Sequence, residues 1–146
     1  MKNYFPILSI DYGEKHFGLA ISDSKGIIAS PLEVLSITKN RNREDIIIDI
    51  LNIAQEQRVK SILVGIPQSF TEAQQKTVKK VEEFIDTLSK KTDLHIFTID
   101  ESFSTINAQD MLISSGQNTR SSRKKIDKIA STVFLQEFLN SFPKED

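Results

Sequence analysis

Apolar runs separated by short polar turns occupy the first quarter of the chain. The runs cover three ranges, 7–12, 17–22 and about 27–35. Gly13 lies in the first connection and Gly26 in the second, and glycine tolerates the backbone angles of a tight turn better than other residues. Because connections this short join antiparallel neighbours, the pattern predicts a meander of three antiparallel strands.

Helical and strand patterns alternate in the middle of the chain. Between residues 41 and 58 isoleucines recur at helical spacing, and residues 61–66 form a short apolar run that ends before Pro67. A second helical stripe passes from Val78 to Leu88, and residues 94–99 supply a fifth strand. Since parallel neighbours need long connections, the helical crossovers predict that strands 61–66 and 94–99 run parallel to the first strand.

Two further helices are predicted to close the chain. One follows Thr105, a suitable N-cap, and ends near Gly116. A Ser/Arg/Lys-rich stretch at 114–125 is interpreted as a mobile loop. The final helix is marked by apolar residues at helical spacing: Ile126, Ile129, Ala130, Val133, Phe134 and Phe138. The predicted fold class is therefore α/β, a five-stranded mixed sheet with helices on both faces, in one domain over residues 1–146.

Composition excludes several classes of protein. The 146 residues are 38% hydrophobic, which suits one buried core, and they include no cysteine. Disulfides and thiolate-bound zinc are thereby excluded, and a cytoplasmic location is expected. The apolar run before Asp11 is too short for a signal peptide or a membrane span. The net charge of −1 says little about partners, although the basic residues near the last helix are clustered.

Three sets of carboxylates are predicted to meet at one edge of this sheet. Asp11 ends the first strand, Asp100 and Glu101 end the fifth, and Asp127 opens the last helix, where the helix dipole favours an acid. Ligand crevices of such sheets lie at the carboxyl ends of the parallel strands. Taken singly, Asp11 could cap a turn, Glu101 could be a surface acid and Asp127 a first-turn charge.

Together, Asp11, Glu101 and Asp127 predict a site for Mg²⁺ or Mn²⁺, which prefer oxygen ligands. Two such ions about 4 Å apart can clamp the attacking water and the leaving oxygen of a phosphodiester. The predicted phosphate contacts are the basic residues beside Asp127, namely Arg120, Arg123, Lys124 and Lys125, with Lys39, Arg41 and Arg43 as the next candidates.

Other polar and aromatic residues have simpler interpretations. Phe97, Phe134 and Phe138 lie on apolar faces and are predicted to be core, which leaves Phe103 as the candidate to stack on a base. The lysines at 76, 79 and 80 are interpreted as a solvated helix face.

Four segments of the chain, in order, resemble the YqgF/RuvX family from about residue 5 to residue 140. They are Ile10-Asp11-Tyr12-Gly13 with Gly18-Leu19-Ala20, Val64-Gly65-Ile66-Pro67, Ile99-Asp100-Glu101-Ser102-Phe103-Ser104-Thr105, and Ile126-Asp127-Lys128-Ile129-Ala130. The resemblance implies an RNase H-like fold, kinship with Holliday-junction resolvases and a nuclease that processes the 5′ end of pre-16S rRNA. It also implies that the catalytic carboxylates are Asp11, Glu101 and Asp127.

The chain departs from the family pattern at two positions, because His16 and Ser102 replace arginines that would grip phosphate. The loop at 68–72 also lacks the glycine that relatives commonly carry. His16 could contact phosphate or donate a proton, or it could be a solvent-exposed turn residue.

Three functions remain open at this point. The first is a metal-dependent endonuclease acting on structured RNA, with branched DNA as the alternative substrate. The second is a small-molecule phosphotransferase, because Asp-x-Gly with a hairpin also resembles the phosphate-binding element of sugar kinases; those enzymes close two such domains, and one is expected here. The third is a non-catalytic RNA-binding factor of ribosome assembly.

Overall fold

The computed structural model describes residues 3–67, 69–100 and 119–142, with the side chains of the last segment described from Ile129 onward. Within these ranges the chain forms one five-stranded sheet whose strand order is β3-β2-β1-β4-β5. The strands are β1 (Ile7–Asp11), β2 (His16–Ser22), β3 (Ala29–Ser36), β4 (Ser61–Ile66) and β5 (His95–Asp100). The first three pair antiparallel, and β1, β4 and β5 pair parallel, which confirms the predicted topology.

Two capped helices form the crossovers between the parallel strands. The first, α1 (Arg43–Glu56), begins after Asn42, whose side chain accepts the Asp45 N–H while the Asp45 carboxylate accepts the Asn42 N–H. The second, α2 (Glu72–Lys91), has the same reciprocal arrangement between Thr71 and Gln74. Each capping box satisfies backbone donors that a helix terminus otherwise leaves unpaired.

The last helix, α3 (Thr119–Ser141), corrects two expectations. Residues 119–125 are helical, so the predicted loop at 114–125 is wrong over that part. Arginine and lysine are good helix formers, and the helix start was hidden because no apolar stripe precedes Ile126. Asp127 therefore lies about two turns inside the helix rather than at its first turn, and the dipole argument for it fails. The helix predicted between Thr105 and Gly116 lies outside the described residues.

Helices cover both faces of the sheet, as predicted. Because strand side chains alternate, Leu8 and Ile10 of β1 enter the larger cluster with α1 and α2, while Ile7 enters the smaller one with α3. The smaller cluster, called here the α3 cluster, consists of Ile7, Ala20, Leu63, Phe134, Leu135 and Leu139. The aromatic rings of Phe97 and Phe138 pack against it, which confirms that they are core residues.

No helix in the described part of the chain is long and apolar enough to cross a membrane.

Candidate active site

Asp11 is the last residue of β1 and ends at the carboxyl edge of the sheet with only 8% of its surface exposed. Its partner on β2 is Gly18. On the other side Ile10 pairs with Val64, so the next residue of β4, Gly65, lies level with Asp11. Neither glycine contributes a side chain, and the carboxylate therefore has room on both sides for a cation or a phosphate oxygen.

The face of the sheet on which Asp11 lies follows from Ser9. The Ser9 hydroxyl is 2.7 Å from the Ser131 hydroxyl and 3.1 Å from the Ser131 carbonyl oxygen, so Ser9 faces α3. Residues two apart on a strand share a face, which puts Asp11 on the α3 face as well. The carboxylate thus belongs to the crevice between α3 and the sheet.

Two contacts establish the direction of α3 along β1. Ser131 contacts Ser9, while the Phe142 ring lies 5.3 Å from the Phe5 ring, just before β1 begins. The helix therefore runs antiparallel to β1, with its N-terminal half toward the carboxyl edge. Position 127 lies one turn before Ser131, about 6 Å along the helix. Asp11 lies about 6.6 Å beyond Ser9 along the strand, so the backbone puts positions 11 and 127 level with each other.

The other predicted acids are described only in part. Asp100 ends β5 opposite Ile66 of β4 at the same edge of the sheet. Glu101 follows it and lies outside the described residues, as do Ser102 and Phe103. In the described part of the chain no three His, Asp or Glu side chains gather closely enough to hold a metal ion. Of the predicted trio, the Asp11 side chain alone is described, so the convergence of the three acids stays a prediction.

The loop that follows Asp11 has a fixed conformation. A Cβ at Gly13 would overlap the His16 carbonyl oxygen, so this position requires glycine. The Tyr12 ring packs edge-on against Phe17 and Phe84 at centroid distances of 5.1 and 5.3 Å. The sequence pattern did not single out Phe84, although it lies within the predicted stripe, one turn after Val81 and one turn before Leu88.

Two basic side chains, one from α1 and one from α2, contact the same loop. The Arg43 guanidinium lies 5.6 Å from the Tyr12 ring centroid and donates to the Glu14 carbonyl oxygen. The Lys80 ammonium is 2.9 Å from Oε1 of Glu14. The hydrogen bond from Lys80, together with its charge, lowers the pKa of Glu14 below its ordinary value. Lys80 is therefore a partner of this loop as well as part of an exposed helix face.

His16 is the first residue of β2 and is half-buried. Its Nδ1 lies 2.7 Å from the Ser36 hydroxyl on β3. The interpretation of His16 as a solvent-exposed turn residue is wrong, because the β2–β3 ladder extends past the end of β1 and includes it. His16 and Gly18 are two residues apart, so the imidazole lies on the same face as Asp11. A phosphate contact by His16 stays a prediction.

The predicted phosphate contacts lie in the first half of α3, and their side chains are not described. By helical periodicity, positions 120, 124 and 127 share the face of Ser131, whereas position 125 lies about 120° away from it. Of the next candidates, Arg41 is paired with Asp49 at 3.2 Å and Arg43 lies over Tyr12.

The chain is similar to known proteins of one family over most of its length. A family model described as RuvX, Holliday junction resolvase, matches residues 6–141. A Fusobacterium nucleatum protein named "Putative pre-16S rRNA nuclease" is 36% identical over 142 residues, covering 96% of this chain and 98% of that protein. A protein of the same name from Desulforamulus reducens is 38% identical over 141 residues, covering 94% of this chain and 98% of its own length.

Solved structures show the same fold at low sequence identity. The fowlpox virus resolvase in complex with Holliday junction DNA matches with a TM-score of 0.55 at 15% identity, covering 94% of this chain and 98% of that one. RuvC of T. thermophilus, solved with a Holliday junction substrate, matches with a TM-score of 0.53 at 12% identity, covering 91% and 96%. The fold is therefore the RNase H-like fold of these resolvases, as expected.

Proposed function

The chain belongs to the RuvX family of nucleases, enzymes that hydrolyse phosphodiesters, and we propose that it is a metal-dependent endonuclease that processes the 5′ end of pre-16S rRNA. It would act in the cytoplasm during ribosome biogenesis, on precursor RNA or the pre-ribosomal particle. One observation carries the proposal. Asp11 is a nearly buried carboxylate at the carboxyl edge of the sheet, between two glycines and facing α3.

The residues fit a divalent cation. The Asp11 carboxylate supplies hard oxygen ligands at the carboxyl edge, and the glycines beside it on β2 and β4 leave space for a hard ion. Asp11, Glu101 and Asp127 would hold Mg²⁺ or Mn²⁺, which when bound activates water and neutralises charge on the phosphate. The level positions of residues 11 and 127 support this set.

The protein itself contributes orientation and charge. The β1 ladder and the Ser9–Ser131 contact hold the Asp11 backbone against α3, so the carboxylate needs little rearrangement on binding. Arg43 and Lys80 hold the adjacent loop. Arg120, Arg123, Lys124 and Lys125 would neutralise phosphates flanking the scissile bond, because they precede Asp127 on the helix that forms one wall of the crevice.

Branched DNA is the second candidate substrate, favoured by the shared fold of resolvases solved with Holliday junctions. A non-catalytic RNA-binding factor is the third, because His16 and Ser102 stand where the family usually has arginine. The family match over residues 6–141 favours a nuclease over the phosphotransferase hypothesis.

The test is cleavage of an extended small-subunit rRNA precursor in Mg²⁺ by wild type and by Asp11→Asn. The amide keeps the shape of the carboxylate but removes its charge, so we expect cleavage to be lost while the melting temperature stays equal or rises. Asp93→Asn is the matched control, an exposed aspartate at the opposite edge of the sheet, and it should cleave normally.

A branched DNA junction, tested in parallel, separates the candidates. Cleavage of the RNA at the mature 5′ end supports the proposal, and preferential cleavage of the junction assigns the chain to DNA. If Asp11→Asn cleaves as well as wild type, the catalytic assignment is wrong. If wild type binds the precursor without cutting it, the non-catalytic alternative holds.

A further inference from the structure

Phe70 is the most exposed large hydrophobic side chain in the described part of the chain, with 85% of its surface accessible. By contrast, Phe17, Phe84 and Phe134 are at most 4% exposed. An exposed aromatic ring keeps a large apolar surface in water, and a binding partner that covers it gains the corresponding hydrophobic free energy. The sequence pattern gave Phe70 no role.

The position of Phe70 relates it to the candidate active site. The loop that carries it follows β4 at the carboxyl edge, where Gly65 lies beside Asp11. Phe70 is separated from Ile66, the last residue of β4, by a stretch that spans at most about 14 Å when fully extended. Stacked nucleotides rise by about 3.4 Å each along a strand, so the ring is within a few nucleotides of Asp11.

The backbone beneath the ring is fixed. The N–H groups of Phe70 and Thr71 each donate to Oε1 of Gln74 at 3.0 Å, and the Gln74 N–H donates to the Thr71 hydroxyl at 3.1 Å. The Gln75 amide also donates to the Ser69 carbonyl at 3.3 Å. A partner that binds the ring therefore needs to order little of the loop, which lowers the entropic cost of binding.

The adjoining face of α2 carries Glu72, Lys76 and Lys80 at one-turn spacing. Lys76 and Lys80 lie one turn apart on α2, and Lys80 contacts Glu14 in the loop after Asp11. Lys76 is exposed and lies one turn nearer to Phe70. Since Lys80 is paired with Glu14, Lys76, six residues after Phe70, is the lysine of this face that we assign to a phosphate.

From these contacts we propose that Phe70 stacks on an unpaired base of the substrate strand while Lys76 contacts a neighbouring phosphate. The inference rests on the proposed function, because it takes the ligand to be the nucleic acid cut near Asp11. The site would therefore select substrates with unpaired nucleotides beside the scissile phosphate.

A protein partner is less consistent with the surface. The remaining exposed large hydrophobics in the described part of the chain are Ile27 and Ile28, in the β2–β3 turn at the opposite edge, and Ile48 on α1. A protein interface needs a contiguous apolar core, whereas a single exposed ring followed by a lysine early in α2 matches the pattern of single-strand binding.

Phe70→Trp provides a direct reporter of stacking because the chain contains no tryptophan. The probe is a short single-stranded oligoribonucleotide, compared with a fully paired duplex of the same sequence and with a strand in which all bases are replaced by abasic sites. We expect the tryptophan fluorescence to be quenched by the intact single strand and to change little with the duplex or the abasic strand. Equal quenching by the abasic strand would overturn the stacking assignment.

Affinity measurements separate the ring from the charge. Phe70→Leu keeps an exposed apolar side chain but loses the ring, and it should bind the single strand roughly 5- to 150-fold more weakly with an unchanged salt dependence. Lys76→Gln should instead flatten the salt slope by roughly 0.7. Ile28→Ala is the matched control for loss of an exposed apolar residue, and its affinity should equal that of wild type.

The outcomes distinguish this proposal from the proposed function. Phe70→Leu and Lys76→Gln alter exposed side chains, so we expect their circular dichroism spectra to match that of wild type. The binding arms need no catalysis and can be run in the Asp11→Asn background. Base-dependent quenching without any cleavage by wild type would leave the stacking site standing while the nuclease assignment falls. Normal cleavage with wild-type affinity in Phe70→Leu would overturn the stacking site and leave the nuclease assignment standing.

Discussion

Asp11 shares its face of the sheet with a row of small polar side chains. Ser9 and Ser131 are fully buried and hydrogen-bonded to each other. His16 is hydrogen-bonded to Ser36 nearer the carboxyl edge of the sheet. Because burying a hydroxyl is costly unless it is hydrogen-bonded, the Ser9–Ser131 pair is a specific contact between β1 and α3 rather than part of the apolar core. We call Ser9, Asp11, His16, Ser36 and Ser131 the polar row.

The Ser9–Ser131 contact should behave as a coupled pair in unfolding experiments. Ser9→Ala leaves the Ser131 hydroxyl without this partner, and we expect a loss of about 1–2 kcal/mol of stability. Ser131→Ala should cost less, because Ser9 keeps the Ser131 carbonyl oxygen as an acceptor at 3.1 Å. The double variant should be more stable than the sum of the single changes predicts, by about 0.5–1.5 kcal/mol, measured by urea denaturation.

A third serine, Ser61, provides the control for this double-mutant cycle. Ser61 is also fully buried, but it donates to the Tyr4 carbonyl and has no partner in common with Ser131. The effects of Ser61→Ala and Ser131→Ala should therefore add. If the Ser9 and Ser131 changes were additive as well, the contact would not couple α3 to β1.

Helix α3 shows where sequence reasoning succeeds and where it fails. The strands were predictable because short apolar runs alternate with turn residues. Each observed strand begins and ends within two residues of its predicted bounds. The position of Asp11 at the end of β1 followed from the same pattern. The start of α3 was missed because seven polar residues precede Ile126 and an apolar stripe was the signal sought.

The polar row and Phe70 could not be predicted for a different reason. Ser9 and Ser131 are far apart in the chain, and a serine has no periodicity that announces its partner. Phe70 lies next to the capping box at Thr71, and nothing in the local sequence distinguishes an exposed phenylalanine there from a buried one. Both features are products of tertiary packing, whereas composition and spacing report local structure.

The basic residues in the first half of α3 are expected to bind RNA through its phosphates. Changing Arg120, Arg123, Lys124 and Lys125 together to glutamine should weaken RNA binding about equally for unrelated sequences. It should also flatten the salt slope by up to roughly 3, at about 0.7 per phosphate on a single strand. Fluorescence anisotropy over a salt series measures both quantities.

Adjacent lysines provide the matched comparison for that prediction. Position 124 shares a helical face with positions 127 and 131, whereas position 125 lies about 120° away. Lys124→Gln should therefore weaken binding more than Lys125→Gln. If the quadruple variant bound RNA with wild-type affinity at every salt concentration, the assignment of these phosphate contacts would be wrong. Lys39, Arg41 and Arg43 would then be the next residues to test.

The two faces of the sheet have different roles: one holds most of the buried core, and the other carries the candidate site. The face covered by α1 and α2 holds the larger cluster, whose buried strand residues come from β1, β2, β3 and β4. On the other face the α3 cluster lies near Phe134 and Leu139, and the polar row lies toward the carboxyl edge. Among the described side chains of α3, those of its C-terminal half pack against the sheet, and we expect the half that carries Asp127 to depend on that anchor.

Two neighbouring residues of β4 test this division. Ile62 and Leu63 are both fully buried, but Ile62 packs in the larger cluster and Leu63 in the α3 cluster. Substituting either by alanine removes a buried aliphatic side chain and should cost about 2–5 kcal/mol, a fall of roughly 5–15 °C in melting temperature. Stability alone should not distinguish the two variants.

Cleavage assayed well below both melting temperatures should distinguish them. Leu63→Ala loosens the surface that holds α3, so position 127 loses its register with Asp11 and the rate should fall at least tenfold, since small misplacements of catalytic groups are costly. Ile62→Ala leaves α3 seated and should cleave within about twofold of wild type. Equal rates for the two variants would mean that the candidate site does not depend on the docking of α3, and the assignment of Asp127 to it would then be wrong.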